Sequence, residues 1–357
     1  MSRWPLSTDL YELVLDHGLD VVGIAPAEPS RRADAVRSWI ACGYHADMEW
    51  FAARIEDRLN PARRYPEVQS WLVAAASYYT EVPPATIWQD PWRGRLARYT
   101  WGPDYHVVLR ERLARVAERI QQLAGLTERP RVAVDTMPIL ERELAERAGL
   151  GFIGRNTLLI HPTMGSWIHL GVIGLPWQTD PPGPVTIVPE GCGLCRRCRD
   201  ACPTGAIVDD RIVDARRCIA WMTVECAGAI PLPYRRSTQR WLVGCDLCQE
   251  CCPWNLPPRV RAGRAPWLAF NPDLHAPKLT EALSWSETEF AQRYAGTVVA
   301  RVGWRRWIRN AVVAASAQFD DPDIRAAVAR YSDSPDPLIR EHARWFESLG
   351  TADEPAC

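Results

Sequence analysis

The chain has 357 residues, of which 47% are apolar and 24% charged, with a formal net charge of −1. This length gives room for two or three cored domains, and the composition excludes a disordered, fibrous or small disulfide-stapled protein. A charge so close to neutral excludes a globally basic nucleic-acid binder, so any basic face has to be local.

The opening MSRWPLSTDL has no apolar h-region, and no run approaches the ~18 apolar residues of a membrane span. Arg31-Arg32 lies too deep in the chain for a twin-arginine signal. A cytoplasmic protein without membrane contact is therefore expected. Residues 1–180 read as an α/β domain. Ser7 can cap a helix over 8–17 that stops at Gly18, and VVGIA follows as a buried strand. Ser30 is positioned to cap a second helix ending near Gly43, and WLVAAASYY at 71–79 is a strand. A long helix runs from Pro103-Asp104 to about Gly125, with Val108, Leu109, Leu113, Val116, Ile120 and Leu123 at helical spacing. RVAV at 131–134 is a short strand leading to Asp135, and Pro138 starts a helix that Gly149 ends. TLLIH and WIHLGVIGL are the next strands.

The proline-rich segment 176–185 reads as a linker into a cysteine module over 181–258. Residues 259–357 carry amphipathic helices, including 304–317, 321–331 and 336–349. Asp-Pro recurs at 321–322 and 336–337, each followed by Ile-Arg, a pattern that suggests HEAT-type packing.

Ten of the twelve cysteines lie between 192 and 252, while Cys42 and Cys357 stand apart. Such a cluster inside a long chain points to metal rather than to disulfides. Cys192, Cys195, Cys198 and Cys202 follow the C-x2-C-x2-C-x3-C-P spacing of bacterial ferredoxins, in which the fourth cysteine serves the other cluster. CDLCQECCP supplies Cys245, Cys248, Cys251 and Cys252, with a matching Cys-Pro. Two 4Fe–4S clusters follow. Paired zinc knuckles are the alternative, but zinc has no need of the two Cys-Pro steps. One cluster takes Cys192, Cys195, Cys198 and Cys252. The other takes Cys202, Cys245 and Cys248 with one of Cys218, Cys226 or Cys251, and spacing alone favours Cys251.

The segments RYTWGPDYH (98–106), VDTMPILERELAERAGLGFIGRNTLLI (134–160), GSWIHLG (165–171), RRCIAWMTVE (216–225) and CDLCQECCPWN (245–255) together resemble the epoxyqueuosine reductases, cobalamin-dependent iron–sulfur enzymes of queuosine synthesis in tRNA. The resemblance implies a multidomain α+β protein with three parts: a cobalamin-binding catalytic domain at 1–180, a ferredoxin-like double-cluster module at 181–258, and a helical HEAT-like tRNA-binding region at 259–357. It implies cobalamin without a protein ligand on the lower cobalt face, the tRNA anticodon arm as partner, and an unidentified electron donor. A monomer is expected. It makes Cys218 the last ligand of the second cluster, and it puts Arg58, Tyr99, Arg155, Asn156, Thr157, Leu159 and Leu170 at cofactor-facing positions, with Tyr105 and His106 by the substrate.

Removing an epoxide oxygen takes two electrons, which no side chain supplies, and a proton donor for the leaving oxygen. The resemblance makes Asp135 that donor, its apolar surroundings keeping the carboxyl protonated. The plain alternative is a cap on the helix after Pro138. GLGFIG at 149–154 follows a helix where a dinucleotide loop would follow a strand, so no NAD site is expected. RVGWRRWIR at 301–309 and the cluster Arg235, Arg236 and Arg240 are the candidate RNA contacts, the tryptophans being expected in the core. Competing readings are a corrinoid reductase of the reductive-dehalogenase type and a non-catalytic electron carrier.

Overall fold

The computed structural model describes residues 7–80, 82–181, 189–257, 260 and 269–350, with the Ser7 side chain excepted. The Ser7 cap, the end of the 176–185 linker, the boundary at 258/259 and Cys357 lie outside the described residues.

Four strands form one sheet in the order Val21–Pro26, Ser70–Ser77, Ile168–Leu175, Val132–Ala133, and every neighbouring pair is antiparallel. The first part of the chain is therefore not wound as the parallel alternation that α/β implies. Ser70–Ser77 is buried along its whole length. Leu72, Ala74 and Ala76 meet the helices Ser7–Asp16 and Tyr105–Ala124 through Leu10, Val14, Leu109, Leu113, Val116 and Ile120. Trp71, Val73 and Ala75 face the other way, onto the helix Glu141–Arg147 through Leu144 and Ala145, and onto Ala148 at its end. Helices on both faces leave no solvated side, so the strand reads as an unbroken apolar run. Where the long helix crosses the sheet the neighbouring strand, Ile168–Leu175, carries Gly171. A Cβ there would lie 2.4 Å from Leu113 Cδ1, so the glycine sets the depth of that packing.

Local boundaries follow from capping. Tyr105–Ala124 starts at Asp104, whose side chain accepts His106 N–H, and ends at Gly125 with φ 63°. Leu123, expected on the apolar stripe, is exposed, and Ala117 and Ala124 fill the buried face instead. Ser30 does not cap its helix, which runs over Ala33–Ala41. Its hydroxyl accepts Arg32 N–H at 3.0 Å and donates to Glu143 at 2.5 Å. Of TLLIH only Leu159–Ile160 is strand, paired with Phe152–Ile153.

The tail is helical. Asp321 and Asp336 cap Pro322–Ala329 and Pro337–Ser348 in the same way, each accepting two backbone N–H groups. These helices and Trp304–Ala315 share one core with Trp88, Leu96 and Trp101 from the first part and with Trp241, Leu242 and Val243 from the cysteine module. Trp241–Val243 pairs in parallel with Arg95–Leu96. The core thus crosses both boundaries expected from the sequence.

The candidate RNA arginines are largely spoken for. Arg309 is fully buried and donates to the carbonyls of Cys226, Gly228 and Met222, each at 2.6 Å. Arg305 pairs with Asp336 at 2.5 Å, and Arg306 donates to the carbonyls of Val302, Val224 and Arg301. Arg235 is buried against Ile230 O and Glu341, and Arg240 donates to Asp90 O and Arg93 O. Trp307 is in the core, as expected. Arg309→Met would strand two buried carbonyls, those of Cys226 and Met222, and the half-buried one of Gly228. It should lower unfolding stability by at least about 3 kcal/mol in denaturant titrations, with Arg309→Lys recovering only part because it lacks the planar fork. A loss below about 1 kcal/mol would contradict this anchoring role.

Candidate iron–sulfur and substrate site

Two voids divide the cysteines. The first is lined by Cys192, Cys195, Cys198 and Cys252, with Gly191, Ile160 and Trp254. The second is an open cleft whose wall includes Cys202, Cys218, Cys245 and Cys248. Each run therefore lends its Cys-Pro cysteine to the other run's void. Among the described residues no three His, Cys, Asp or Glu side chains converge on one point as an ion would require. Each quartet surrounds a volume, as the ligands of a cubane do. Cys251 lines neither void. Its thiol points to Cys248 O at 3.7 Å, and its nearest thiols are on the first quartet's side. Spacing alone would put it in the second quartet, whose void it does not line. Cys226 is buried and turned to Gly228 O, beside Arg309. Cys42 is exposed and apart.

The loops carrying these cysteines have little regular structure, so side chains satisfy their backbone. Asn255 accepts Ser166 N–H at 2.7 Å and donates to Gln249 O and Ser166 Oγ. Gly165, with φ 60°, makes room, since a Cβ there would sit 2.0 Å from Asn255 Oδ1. Buried Asp246 accepts Arg98 N–H at 2.7 Å. Asn310 donates to Thr223 O and Leu242 O, and Thr223 Oγ1 accepts Gly244 N–H. The turn after Cys218 runs into a π-helical segment, Trp221–Glu225, a conformation common at functional sites.

The same cleft is walled by Tyr78, Tyr99, Tyr105, Asp135, Glu141, Arg142, Asn156, Thr157, Leu159, Ile168, His169 and Leu170. Of the expected cofactor-facing residues, Tyr99, Asn156, Thr157, Leu159 and Leu170 are brought together here. Arg58 and Arg155 are not. Arg58 is buried behind the 135–140 loop, bonded to Met137 O at 3.4 Å and lying over Phe51 and Trp50. Arg155 lines the first void, paired with Asp210 at 2.5 Å and donating to Gly193 O. His169 was not anticipated. It is stacked on Tyr105 at 4.0 Å, and its buried Nε2 has no partner. Thr157 and Asp135 hold φ of 67° and 55°, left-handed strain that collects at functional sites.

Asp135 departs from both sequence readings. It caps nothing, because the helix begins only at Glu141 with Leu140 before it. Nor is its company apolar, for 64% of its side chain is open and it lines the cleft beside Tyr105 and Arg142. Partial desolvation raises its pKa, but His106, Tyr105 and Arg142 outweigh this, and the net position is below the ordinary carboxylate value. Tyr105 Oη donates to Asp135 Oδ2 at 3.0 Å, and His106 Nε2 lies 3.7 Å from the same oxygen. The neighbouring Glu141 behaves oppositely. Its Oε1 accepts Asp135 N–H at 2.8 Å, while burial and then the Asp135 charge push its pKa to about 8.

The cysteine loops and the open cleft beside them define an iron–sulfur oxidoreductase. Residues 191–255 match the family model for a 4Fe-4S double cluster binding domain, and residues 58–136 match that of epoxyqueuosine reductase QueG. The chain is 38% identical to the epoxyqueuosine reductase of Salmonella typhimurium, covering 99% of this chain and 90% of the relative, and 37% identical to that of Escherichia coli, covering 93% and 86%. The chain belongs to the epoxyqueuosine reductase family and is an enzyme. The electron-carrier reading falls with that. Among solved structures it is similar to the Streptococcus thermophilus epoxyqueuosine reductase, with TM-score 0.83, 27% identity and coverage of 98% and 91%. It is similar also to an epoxyqueuosine reductase in complex with an epoxyqueuosine-modified tyrosine tRNA stem loop, with TM-score 0.81, 28% identity and coverage of 98% and 94%. A Bacillus subtilis enzyme, with TM-score 0.79, 28% identity and coverage of 95% and 88%, has its catalytic aspartate loop swung out of the active site. No helix among the described residues is long and apolar enough to cross a membrane.

Glu141 gives this site a pH signature. A carboxyl whose pKa rises from the ordinary 4.5 to about 8 on folding contributes stability that is full below about pH 4.5 and is lost as pH rises towards 8. Glu141→Gln keeps the oxygen that accepts Asp135 N–H and removes the titration. Its apparent Tm at a fixed scan rate should fall less between pH 5 and pH 8 than that of the parent. Parallel Tm profiles would contradict a raised Glu141 pKa.

Proposed function

We propose that this enzyme reduces epoxyqueuosine to queuosine at the wobble position of tRNA anticodons. The observation that carries the reading is one cleft walled by a cysteine quartet and also by Asp135 with Tyr105. Electrons and protons can therefore meet at one substrate. The reaction takes the epoxide, two electrons and two protons to an alkene and water.

The clusters are held by Cys192, Cys195, Cys198 and Cys252, and by Cys202, Cys218, Cys245 and Cys248. The sorting of these eight around two voids supports this assignment. Cobalamin fits the remaining cleft. Leu159, Ile168 and Leu170 offer an apolar face, and Asn156, Thr157 and the unpartnered His169 Nε2 offer hydrogen bonds to its edge. When bound, cobalamin supplies a low-potential metal centre that can reduce an epoxide carbon.

The protein's own part is to hold and protonate. Asp135 delivers the proton to the epoxide oxygen, which is a poor leaving group as an alkoxide. Tyr105 orients it by donating to Oδ2. A wobble base has to leave the anticodon stack to enter, as bases do in enzymes that act on them. The relative crystallised with a modified stem loop supports the anticodon arm as partner. The organisation into a catalytic part at 1–180, a cluster module at 181–258 and a helical, HEAT-like, RNA-gripping part at 259–357 belongs to the same proposal. The repeated Asp-Pro caps support the HEAT-like packing.

Anaerobically prepared protein should hold about eight irons per chain and stoichiometric cobalt, and should turn over an epoxyqueuosine stem loop. Iron near four, or no cobalt with full turnover, would overturn the reading. Cys218→Ala should lose one cluster's iron, whereas Cys251→Ala and Cys226→Ala should retain both clusters by iron assay and electron paramagnetic resonance. Asp135→Asn should keep iron, cobalt and stem-loop binding and lose about 10²–10⁴-fold in turnover. Near-normal turnover in that variant would remove Asp135 from the chemistry.

A further inference from the structure

The helix that carries Tyr105 and His106 begins against the tail of the chain. Pro103 bridges Thr297, and Asp104 N–H donates to Gly296 O at 2.8 Å. Asp104 then uses both carboxylate oxygens. Oδ1 lies 2.7 Å from His106 Nδ1, and Oδ2 accepts from Arg301 Nε at 2.8 Å and from Arg301 Nη2 at 2.7 Å. The other His106 nitrogen, Nε2, is 3.7 Å from Asp135 Oδ2. An unbroken line of charged groups, Arg301–Asp104–His106–Asp135, thus joins the tail to the cleft.

We infer that His106 is the proton reservoir of the site, refilling Asp135 within each turnover, and that Asp104 and Arg301 are positioning residues that set its charge in opposite directions. This rests on Asp135 being the proton donor. Both protons of the reaction go to one oxygen. At rest the pair holds a single proton, on His106. As the first carbon–oxygen bond breaks, that proton crosses to Asp135 and from it to the oxygen, leaving a hydroxyl. His106 Nε2, emptied by that transfer, takes a second proton from solvent in the cleft, on the side where Asp135 is open. The same passage protonates the hydroxyl as the second bond breaks and water leaves. The two electrons come from the clusters and end in the alkene.

The other groups around the pair do not do this. Burial and the Asp135 charge raise the Tyr105 pKa, so Tyr105 keeps its proton. His169, stacked on the far face of Tyr105, is neutral, with burial and then His106 holding its pKa at about 3. Arg142 and Arg58 lend positive charge to Asp135 but give up no proton. Tyr99 is kept neutral by burial, and Glu225 acts on Asp135 only through long-range charge. Glu141 holds a proton, but one of its oxygens is taken by Asp135 N–H. For His106, burial lowers the pKa, the nearby carboxylates of Asp135 and Asp104 raise it and prevail, and Arg301 acts against them.

The test compares two variants that a merely structural role would not separate. Asparagine at 104 still caps the helix but removes the negative charge. Arg301→Gln removes the opposing positive charge at a half-exposed position. In the cofactor-loaded enzyme, turnover of an epoxyqueuosine stem loop should fall on the basic side as His106 deprotonates. Asp104→Asn should move that limb down by about one pH unit, and Arg301→Gln should move it up. The His106 ¹⁵N titration, assigned by its loss in His106→Gln, should shift in the same two directions. Shifts in one direction for both variants, or none, while Asp135→Asn remains inactive, would overturn the reservoir and leave the donor standing. A limb that moves with Glu141→Gln and not with Asp104→Asn would assign the reservoir to Glu141. Full activity of Asp135→Asn would instead remove the donor on which the inference rests.

Discussion

The cysteine loops have almost no hydrogen-bonded ladder of their own, and their buried backbone groups have to find side chains. That constraint organises the molecule. Asn255 and Gln249 tie the second cysteine run to the Gly165–Ser166 turn, Asp246 ties it to Arg98, and Arg309 with Asn310 ties the stretch after Cys218 to the tail. Each tie crosses from one part of the sequence to another, so the cluster module is less an inserted domain than the place where the other two parts are fastened. Replacing such ties by apolar groups would leave donors and acceptors dry and unmet, which is why long polar side chains with several hydrogen-bonding atoms occupy these positions.

The cleft shows how charge is apportioned between two neighbouring carboxyls. Asp135 opens to the cleft and is surrounded by donors, so it is ionised. Glu141 is shut in beside it and keeps its proton. Pairs pushed apart in this way are the usual mark of acid–base chemistry. The strained backbone at Asp135 and Thr157 adds a mechanical element. Both residues occupy a conformation that non-glycine residues adopt at a cost, and both face the cleft.

What the sequence made readable was whatever is local. Ferredoxin spacing in the cysteine runs, the Asp-Pro caps at 321 and 336, and the helix from Asp104 to Gly125 all depend on residues within a few positions of one another. Strand pairing was not readable, because a sheet covered on both faces has the same apolar runs whether its strands are parallel or antiparallel. The four arginines of 301–309 look alike in sequence, yet Arg309 is buried only because carbonyls from 222–228 happen to meet it there. The state of Asp135 was hidden for the same reason. Its partners Tyr105 and His106 lie on a different element, and only the fold brings them within 3.0 and 3.7 Å. Cys251 shows the converse, a residue with the right spacing whose thiol is turned away from both voids.

The parallel pairing of Arg95–Leu96 with Trp241–Val243, capped by helices between 279 and 348, has a consequence for synthesis. A ribosome releases the early strand long before its partner or its covering helices exist. Trp88, Leu96 and Trp101 then wait as exposed apolar surface while the whole cysteine region is translated. Such late, long-range closure is slow and open to aggregation. The nascent chain cannot be completed one part at a time, so a truncation of the last helices uncovers apolar surface near the beginning.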